Sequence, residues 1–263
     1  MFLLTRNGRG RWRRLDIRRR FVVWLSRKGW LRLALTACLV ALTAFVFSAE
    51  IPSSKTWTYW SLPLSGKMIA LDAGHGGADG GAVSREGTIE KDLNLAIVLY
   101  LRDYLQQAGA LVTLTREGDY DLADQGTKGY SRRKTQDLLE REARVKGKKA
   151  DLAISVHMNS IPSPKWSGAQ TFFYSKNPEG KRLAGDIQRE MVTVLENTDR
   201  VAKSNDTVYL LKSLDIPTAL VEVGFLSHPE EARLLADEAY QKKVAAAIYR
   251  GILRYASGKS DEP

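Results

Sequence analysis

Cysteine and histidine are scarce in this 263-residue chain: there is one cysteine, Cys38, and three histidines, His75, His157 and His228. Cys38 lies inside an uncharged apolar run, so the rest of the chain can form no intrachain disulfide and offers no thiolate to a metal or a substrate. Any metal chemistry must therefore use imidazoles and carboxylates. No internal repeat is present. Net charge is missing from most of the chain as well. Of 40 basic and 30 acidic residues, positions 1 to 32 hold eleven bases and one acid, Asp16, which leaves 29 of each sign in the remainder. A pI near 9.6 ordinarily points to nucleic acid or an anionic surface. Here the basicity belongs to a tail, and the body has no excess charge with which to hold nucleic acid.

Charge of either sign is also absent from Leu33 to Ala49. As a helix this stretch would span about 25 Å, slightly less than a hydrocarbon core of about 30 Å, and Trp30 at the interface would extend it. Positive charge ahead of an apolar segment predicts a cytoplasmic N-terminus and export of everything after Ala49. A cleavable signal needs small residues at −3 and −1; cutting after Ala49 would put Phe47 at −3, so an uncleaved membrane anchor is expected. The expected organisation is a basic cytoplasmic tail (1–32), a transmembrane or signal-anchor segment (33–49), a linker (50–66), a folded domain (67–257) and a polar C-terminal tail (258–263). Pro52 and Pro63 mark the linker, and Trp57, Tyr59 and Trp60 suggest that part of it lies against something apolar.

From Lys67 onward short apolar runs alternate with amphipathic stretches. The expected strands are Met68 to Asp72, Leu111 to Thr115, Asp151 to Val156, Ala169 to Tyr174, Thr207 to Leu211 and Thr218 to Val223. Helical patterns cover Glu90 to Ala108, with a possible N-cap at Thr88, and then Ser131 to Lys146, Glu179 to Glu196, Pro229 to Asp237 and Glu238 to Ala256. Alternation of this kind predicts a three-layer α/β domain with a largely parallel or mixed sheet.

Three polar residues recur at comparable places. Met68-Ile69-Ala70-Leu71-Asp72 runs into the glycine-rich segment around His75; Leu152-Ala153-Ile154-Ser155-Val156 ends at His157; Thr218-Ala219-Leu220-Val221 leads to Glu222. Ligands of open α/β sheets bind at the carboxyl ends of strands, so these side chains can converge, and two imidazoles with a carboxylate suggest a zinc site. The ordinary alternatives are a histidine bonded to a carbonyl in a glycine turn for His75 and a capped strand end for His157. A phosphate cradle lacks the Lys-Ser or Lys-Thr pair it requires. Glu222, amid Ala-Leu-Val-Glu-Val-Gly-Phe, would cost several kcal/mol to desolvate without a compensating cation. Glu90, taken by itself, reads as an acid favoured by the helix dipole in a first turn.

DAGHGG (72–77), GTIEKDLNL (87–95), ADLAISVHMNS (150–160) and TALVEVGFLSHPEE (218–231) together resemble the motifs of the zinc-dependent N-acetylmuramoyl-L-alanine amidases of bacterial walls, in the family's order and across the domain from Lys67 to Ala256. The resemblance implies a twisted mixed sheet of about six strands flanked by helices. It also implies one zinc ion on His75, Glu90 and His157, and Glu222 as the catalytic glutamate. Asn159 and Trp166 are candidates for substrate contact. His228 stands where the family usually has Asn, and is expected to be a surface histidine outside the ligand set. The segment from Asn159 to Gln170, and the lack of wall-binding repeats, look most like the sporulation members of the family, which prepare spore cortex for germination. That implies a peptidoglycan substrate, a partner deacetylase acting on the same glycan, and an activating lipoprotein. The rival readings are a vegetative autolysin and a catalytically silent wall-binding protein.

Overall fold

The computed structural model describes residues 4–6, 12–14, 26–48 and 62–258. Most of the basic tail, the linker from residue 50 to 61 with its three aromatic residues, and the C-terminal tail beyond residue 258 lie outside the described residues. The chain divides into two compact units, Met1–Thr58 and Tyr59–Pro263. In the first, two short strands, β1 (Leu4–Arg6) and β2 (Trp12–Arg14), pair antiparallel, and α1 (Arg27–Ser48) follows. By length and composition α1 can cross a membrane over Arg27–Phe45, and every side chain from Leu31 to Phe45 is exposed.

In the second unit β3 (Met68–Ala73), β4 (Leu111–Leu114), β5 (Leu152–Asn159), β6 (Gln170–Phe173), β7 (Lys203–Ser204) and β8 (Thr218–Phe225) form one sheet in the order β4-β3-β5-β8-β6-β7. Every pairing is parallel except β6 with β8. The expected mixed, largely parallel six-stranded sheet is present. Leu64, which the sequence pattern assigns to the linker, is 1% exposed and packs into the core of this unit.

Helices α2 (Glu90–Gln107), α4 (Pro178–Leu195) and α7 (Glu238–Ala256) cover one sheet face. Each presents an apolar stripe at helical spacing: Ile97, Leu101 and Leu105 on α2; Leu183, Ile187 and Met191 on α4; Val244, Ile248 and Ile252 on α7. Asn177 caps α4 by accepting from Gly180 N at 2.8 Å, and Glu196 ends it in a left-handed conformation. The strand residues facing these helices are Ile69, Leu71, Ile154, Val156, Ala219 and Val221.

Among the described residues the other face is covered by α3 (Tyr130–Gly147) and the short α5 (Tyr209–Ser213), with a small apolar cluster of Ala70, Val145, Ala150, Ala153 and Leu214. Because side chains alternate along a strand, this face becomes polar towards the carboxyl ends. Ala70 gives way to Asp72, Ala153 to Ser155 and His157, and Leu220 to Glu222. Both faces of the central strands β3, β5 and β8 are largely buried, while the edge strands β4 and β7 are not, and only one face is apolar throughout.

Three expectations need correction. Thr207 to Leu211 is not a strand: α5 begins at Tyr209, and the sixth strand is the two-residue β7 upstream of it. Leu210 and Leu211 are both buried, and so short an apolar run has no periodicity to separate strand from helix. Thr88 does not cap α2. Ile89 holds that position, because the preceding loop folds back through a Val83–Ile89 bridge and Ala82 O accepts from Glu90 N at 2.9 Å. Finally, β5 and β8 run past His157 and Glu222, so these residues sit within strands; a register irregularity lies between His157 and Asn159.

Candidate metal centre

His157 and Glu222 are direct partners in the β5–β8 register, so their side chains leave the same sheet face side by side. His75 arrives from the loop after β3, and Glu90 from the first residue of α2. The Oε1 of Glu90 lies 3.2 Å from His75 Nε2 and 3.1 Å from His157 Nδ1, and the two rings meet edge to face with centroids 5.0 Å apart. One ligand atom from each of the three residues lies within 4.8 Å of the others. Bonds of about 2 Å to a tetrahedral ion require ligand atoms about 3.3 Å apart, so two imidazoles and a carboxylate at these separations suit such an ion.

The surrounding chain holds this arrangement in place. Glu90 is 3% exposed, and its carboxylate accepts from Met158 N at 3.0 Å, Ala82 N at 2.8 Å and Asn94 Nδ2 at 3.3 Å. Burial alone would raise its pKa, but the two histidines hold it well below the usual carboxylate range. A Cβ at Gly74 would fall 2.2 Å from the His157 ring, and one at Gly81 would fall 2.5 Å from Glu90 Oε2, so the glycines of this segment make room for the site. His75 has φ +63°, a left-handed conformation uncommon outside glycine. Two buried guanidinium groups fix the loop that carries it. Arg116 donates to Ala73 O (2.9 Å) and Gly74 O (2.9 Å), and Arg141 donates to Ala73 O (2.7 Å) and His75 O (2.6 Å). Arg141 also pairs with Asp72 at 2.7 Å. Burial opposes ionisation of Asp72, yet Arg141, His157 and Ser155 hold it at about 2.

On the far side of His75, Nδ1 lies 2.9 Å from Asp79 Oδ2. Burial lowers the His75 pKa, and the neighbouring Glu90 and Asp79 more than reverse this. Glu222 differs from the other acids. Its Oε2 is enclosed and has no hydrogen-bond partner, and burial, with Glu90 adding repulsion, pushes its carboxyl up to about 6 against the pull of the two histidines. A cavity of about 300 Å³ opens over His75, His157 and Glu222, roofed by Lys134 and Leu138 of α3 and by Tyr209 of α5. Three residues that could hold an ion, beside a carboxylate with an unpartnered oxygen at a cavity this size, are an arrangement able to activate water against a bound carbonyl compound.

Residues 69–254 match the family model described as N-acetylmuramoyl-L-alanine amidase. The chain belongs to this amidase family. It is 53% identical over 219 residues to the germination-specific N-acetylmuramoyl-L-alanine amidase of Bacillus subtilis (strain 168), a match covering 83% of this chain and 92% of that one. Among solved structures it is similar to the CwlD amidase from Clostridioides difficile in complex with the GerS lipoprotein. There the TM-score is 0.71 and the identity 42%, over 73% of this chain and 98% of that one. The catalytic domain of the CwlV amidase from Bacillus (Paenibacillus) polymyxa gives a TM-score of 0.63 and 30% identity over 73% of this chain and 99% of that one.

Of the residues singled out in the sequence of this amidase, His75, Glu90, His157 and Glu222 are brought together, while Asn159 and Trp166 do not line the cavity. Asn159 ends β5 and accepts from Leu226 N through its carbonyl at 2.9 Å; Trp166 is 55% exposed on the loop between β5 and β6. His228 is the N-cap of α6 (Pro229–Ala236), its Nδ1 accepting from Glu231 N at 3.3 Å, which is work an asparagine can also do. Asp79, Lys134 and Arg141 were not anticipated at the site. Asp137 and Arg141 did leave a signal, since they place charges four residues apart on the buried face of an amphipathic helix.

Proposed function

We propose that this chain hydrolyses the amide bond joining the lactyl group of N-acetylmuramic acid to the L-alanine of the peptidoglycan stem peptide, with one zinc ion held by His75, Glu90 and His157. The observation that carries this reading is the juxtaposition of that triad, two of whose members (His75 and His157) line the cavity, with Glu222 and its unpartnered Oε2 in the same cavity wall. When bound, zinc supplies Lewis acidity and lowers the pKa of water from about 15.7 towards 7. Glu222 acts as general base on the attacking water and then delivers the proton to the alanine nitrogen as the C–N bond breaks. The raised pKa suits both halves of this task, because the group is ionised at neutral pH yet basic enough to hold a proton between steps. Glu90 stays ionised in the presence of two imidazoles, and Arg116 and Arg141 keep the His75 backbone fixed throughout.

The likeness to a germination-specific amidase supports a role in spore cortex, where removal of stem peptides exposes muramic acid to a deacetylase and so to lactam formation. A lipoprotein partner is proposed on the same ground, since the CwlD amidase is seen with one. Helix α1 supports anchoring in the membrane with the catalytic unit outside the cytoplasm. The exposed indole of Trp166 offers a surface on which a sugar ring of the glycan can stack.

Replacing Glu222 with Gln in the full chain, purified in detergent, tests the assignment. One zinc per chain should be retained while stem-peptide release from purified peptidoglycan falls by about 10²- to 10⁴-fold. Full hydrolysis with zinc retained would remove Glu222 from the mechanism, and loss of zinc would make it a ligand.

A further inference from the structure

The cavity over the triad is lined by several acids, Asp72, Asp79, Asp137 and Glu222, yet the substrate class proposed for it is itself anionic, because stem peptides carry free carboxylates. Among the described residues two cationic side chains line this cavity, and they are not equivalent. Arg141 is 2% exposed and four of its five N–H donors are taken, with Nε on Asp137, Nη1 on Asp72 and Ala73 O, and Nη2 on His75 O. Its charge is already matched by two buried carboxylates, Asp72 and Asp137. Lys134 has a side chain 44% exposed; its ammonium group lies 3.1 Å from Asp79 Oδ2 and 5.9 Å from the centre of the Tyr130 ring.

Asp79 does not depend on this lysine. Its Oδ1 already accepts from Tyr130 Oη at 2.9 Å and from Gly81 N at 3.2 Å, and His75 lies against its other oxygen. Lysine carries three N–H donors, so the contacts with Asp79 and with the Tyr130 side chain still leave one to face the cavity. The Tyr130 ring and Asp79 together aim the flexible side chain, which reduces the entropy lost when a ligand takes it up. Asp79 also touches His75, so the ammonium group sits only two short contacts from a candidate metal ligand.

That placement has a length scale. A peptide residue spans at most about 3.3–3.6 Å, so a carboxylate on the residue after L-alanine falls within about 7 Å of the scissile bond. Groups farther along the stem lie beyond it. Resting on the amidase reading above, we propose that Lys134 is a specificity-determining residue that binds the free carboxylate of the second stem-peptide residue and orients the peptide side of the scissile bond along α3.

Two substrates differing in one group test this: a muramoyl-L-alanyl-D-glutamate unit on a glycan fragment, and its counterpart with the carboxyl next to the second peptide bond replaced by a primary amide. The zinc-loaded full chain should favour the acid by about five- to tenfold in kcat/KM, mostly through KM, a size between that of an exposed ion pair and a charge-assisted hydrogen bond in a partly enclosed site. Lys134→Met should bring the ratio close to one with zinc content unchanged, Lys134→Arg should keep most of it, and Lys134→Glu should invert it. A wild-type ratio near one, or a ratio that survives Lys134→Met, overturns the proposal while leaving the amidase reading intact. Failure of the wild type to cleave either compound overturns the amidase reading, and this proposal with it.

Discussion

An ionised Glu222 is a burden on the metal-free fold. Its Oε2 has no partner, and burial lifts its carboxyl to about 6 from the 4.5 of an unconstrained glutamate. A group whose pKa is raised by folding favours the folded state fully below its unfolded value and loses that advantage as pH rises through the folded value. The cost therefore grows between pH 4.5 and 6 and levels off at about 2 kcal/mol near neutrality. Glu222→Gln should raise the unfolding free energy of the metal-free protein by about 1–2 kcal/mol at pH 7.5 and change it little at pH 4, as read from urea titrations at the two pH values. An equal change at both would show that packing, not ionisation, was altered. Asp72 has the opposite sign: its stabilisation by Arg141 is present above about pH 3.8 and lost as pH falls through about 2. The sequence exposes Glu222, His75 and His157 because each interrupts or follows an apolar run. Glu90 stays hidden among ordinary first-turn acids, since its burial comes from a loop that folds back over it, and no periodicity encodes that fold.

The helices on the apolar face were legible to within a residue or two because their stripes are long, at Leu183, Ile187 and Met191 or at Val244, Ile248 and Ile252. What a stripe does not encode is how closely two helices approach. Helices α4 and α7 pack so tightly that a Cβ at Gly251 would fall 2.5 Å from Ile187 Cα and 2.9 Å from its backbone nitrogen. In an exposed helix Gly→Ala gains up to about 1 kcal/mol. Here the obstacle is backbone and cannot swing aside, and overpacking costs about 1–3 kcal/mol. Gly251→Ala should accordingly lower the urea midpoint while leaving zinc content unchanged; a higher midpoint would mean that the two helices separate without penalty. The region between α4 and β8 was misread for the converse reason. Tyr209-Leu210-Leu211 is too short for any period, and β7 has only two residues, both exposed, so neither carries a pattern.

At the scale of the whole chain, the excess charge and the uncharged apolar run both fall within the first of the two compact units. Residues 1–32 hold a net charge of +10, and the remaining residues carry equal numbers of each sign. The side chains of Leu33, Leu35, Leu39, Leu42 and Phe45 are between 51% and 69% exposed on α1. Leaving each in water forgoes about 1.5–3 kcal/mol, a sum that a bilayer can supply and that the basic flank reinforces by about 1 kcal/mol per charge near anionic lipid. If anchoring is all that this unit contributes, deleting residues 1–48 should move the protein from the membrane to the soluble fraction. Its cooperative unfolding, zinc content and hydrolysis of purified peptidoglycan in solution should stay within about twofold of the full chain. Binding to anionic vesicles should be lost with the deletion, and in the full chain high salt should weaken the contribution of the tail but not that of α1, because screening acts on exposed charge and leaves apolar burial intact. A truncated protein that stays with the membrane would locate the anchor elsewhere. One that unfolds without cooperativity would give α1 a part in the catalytic fold.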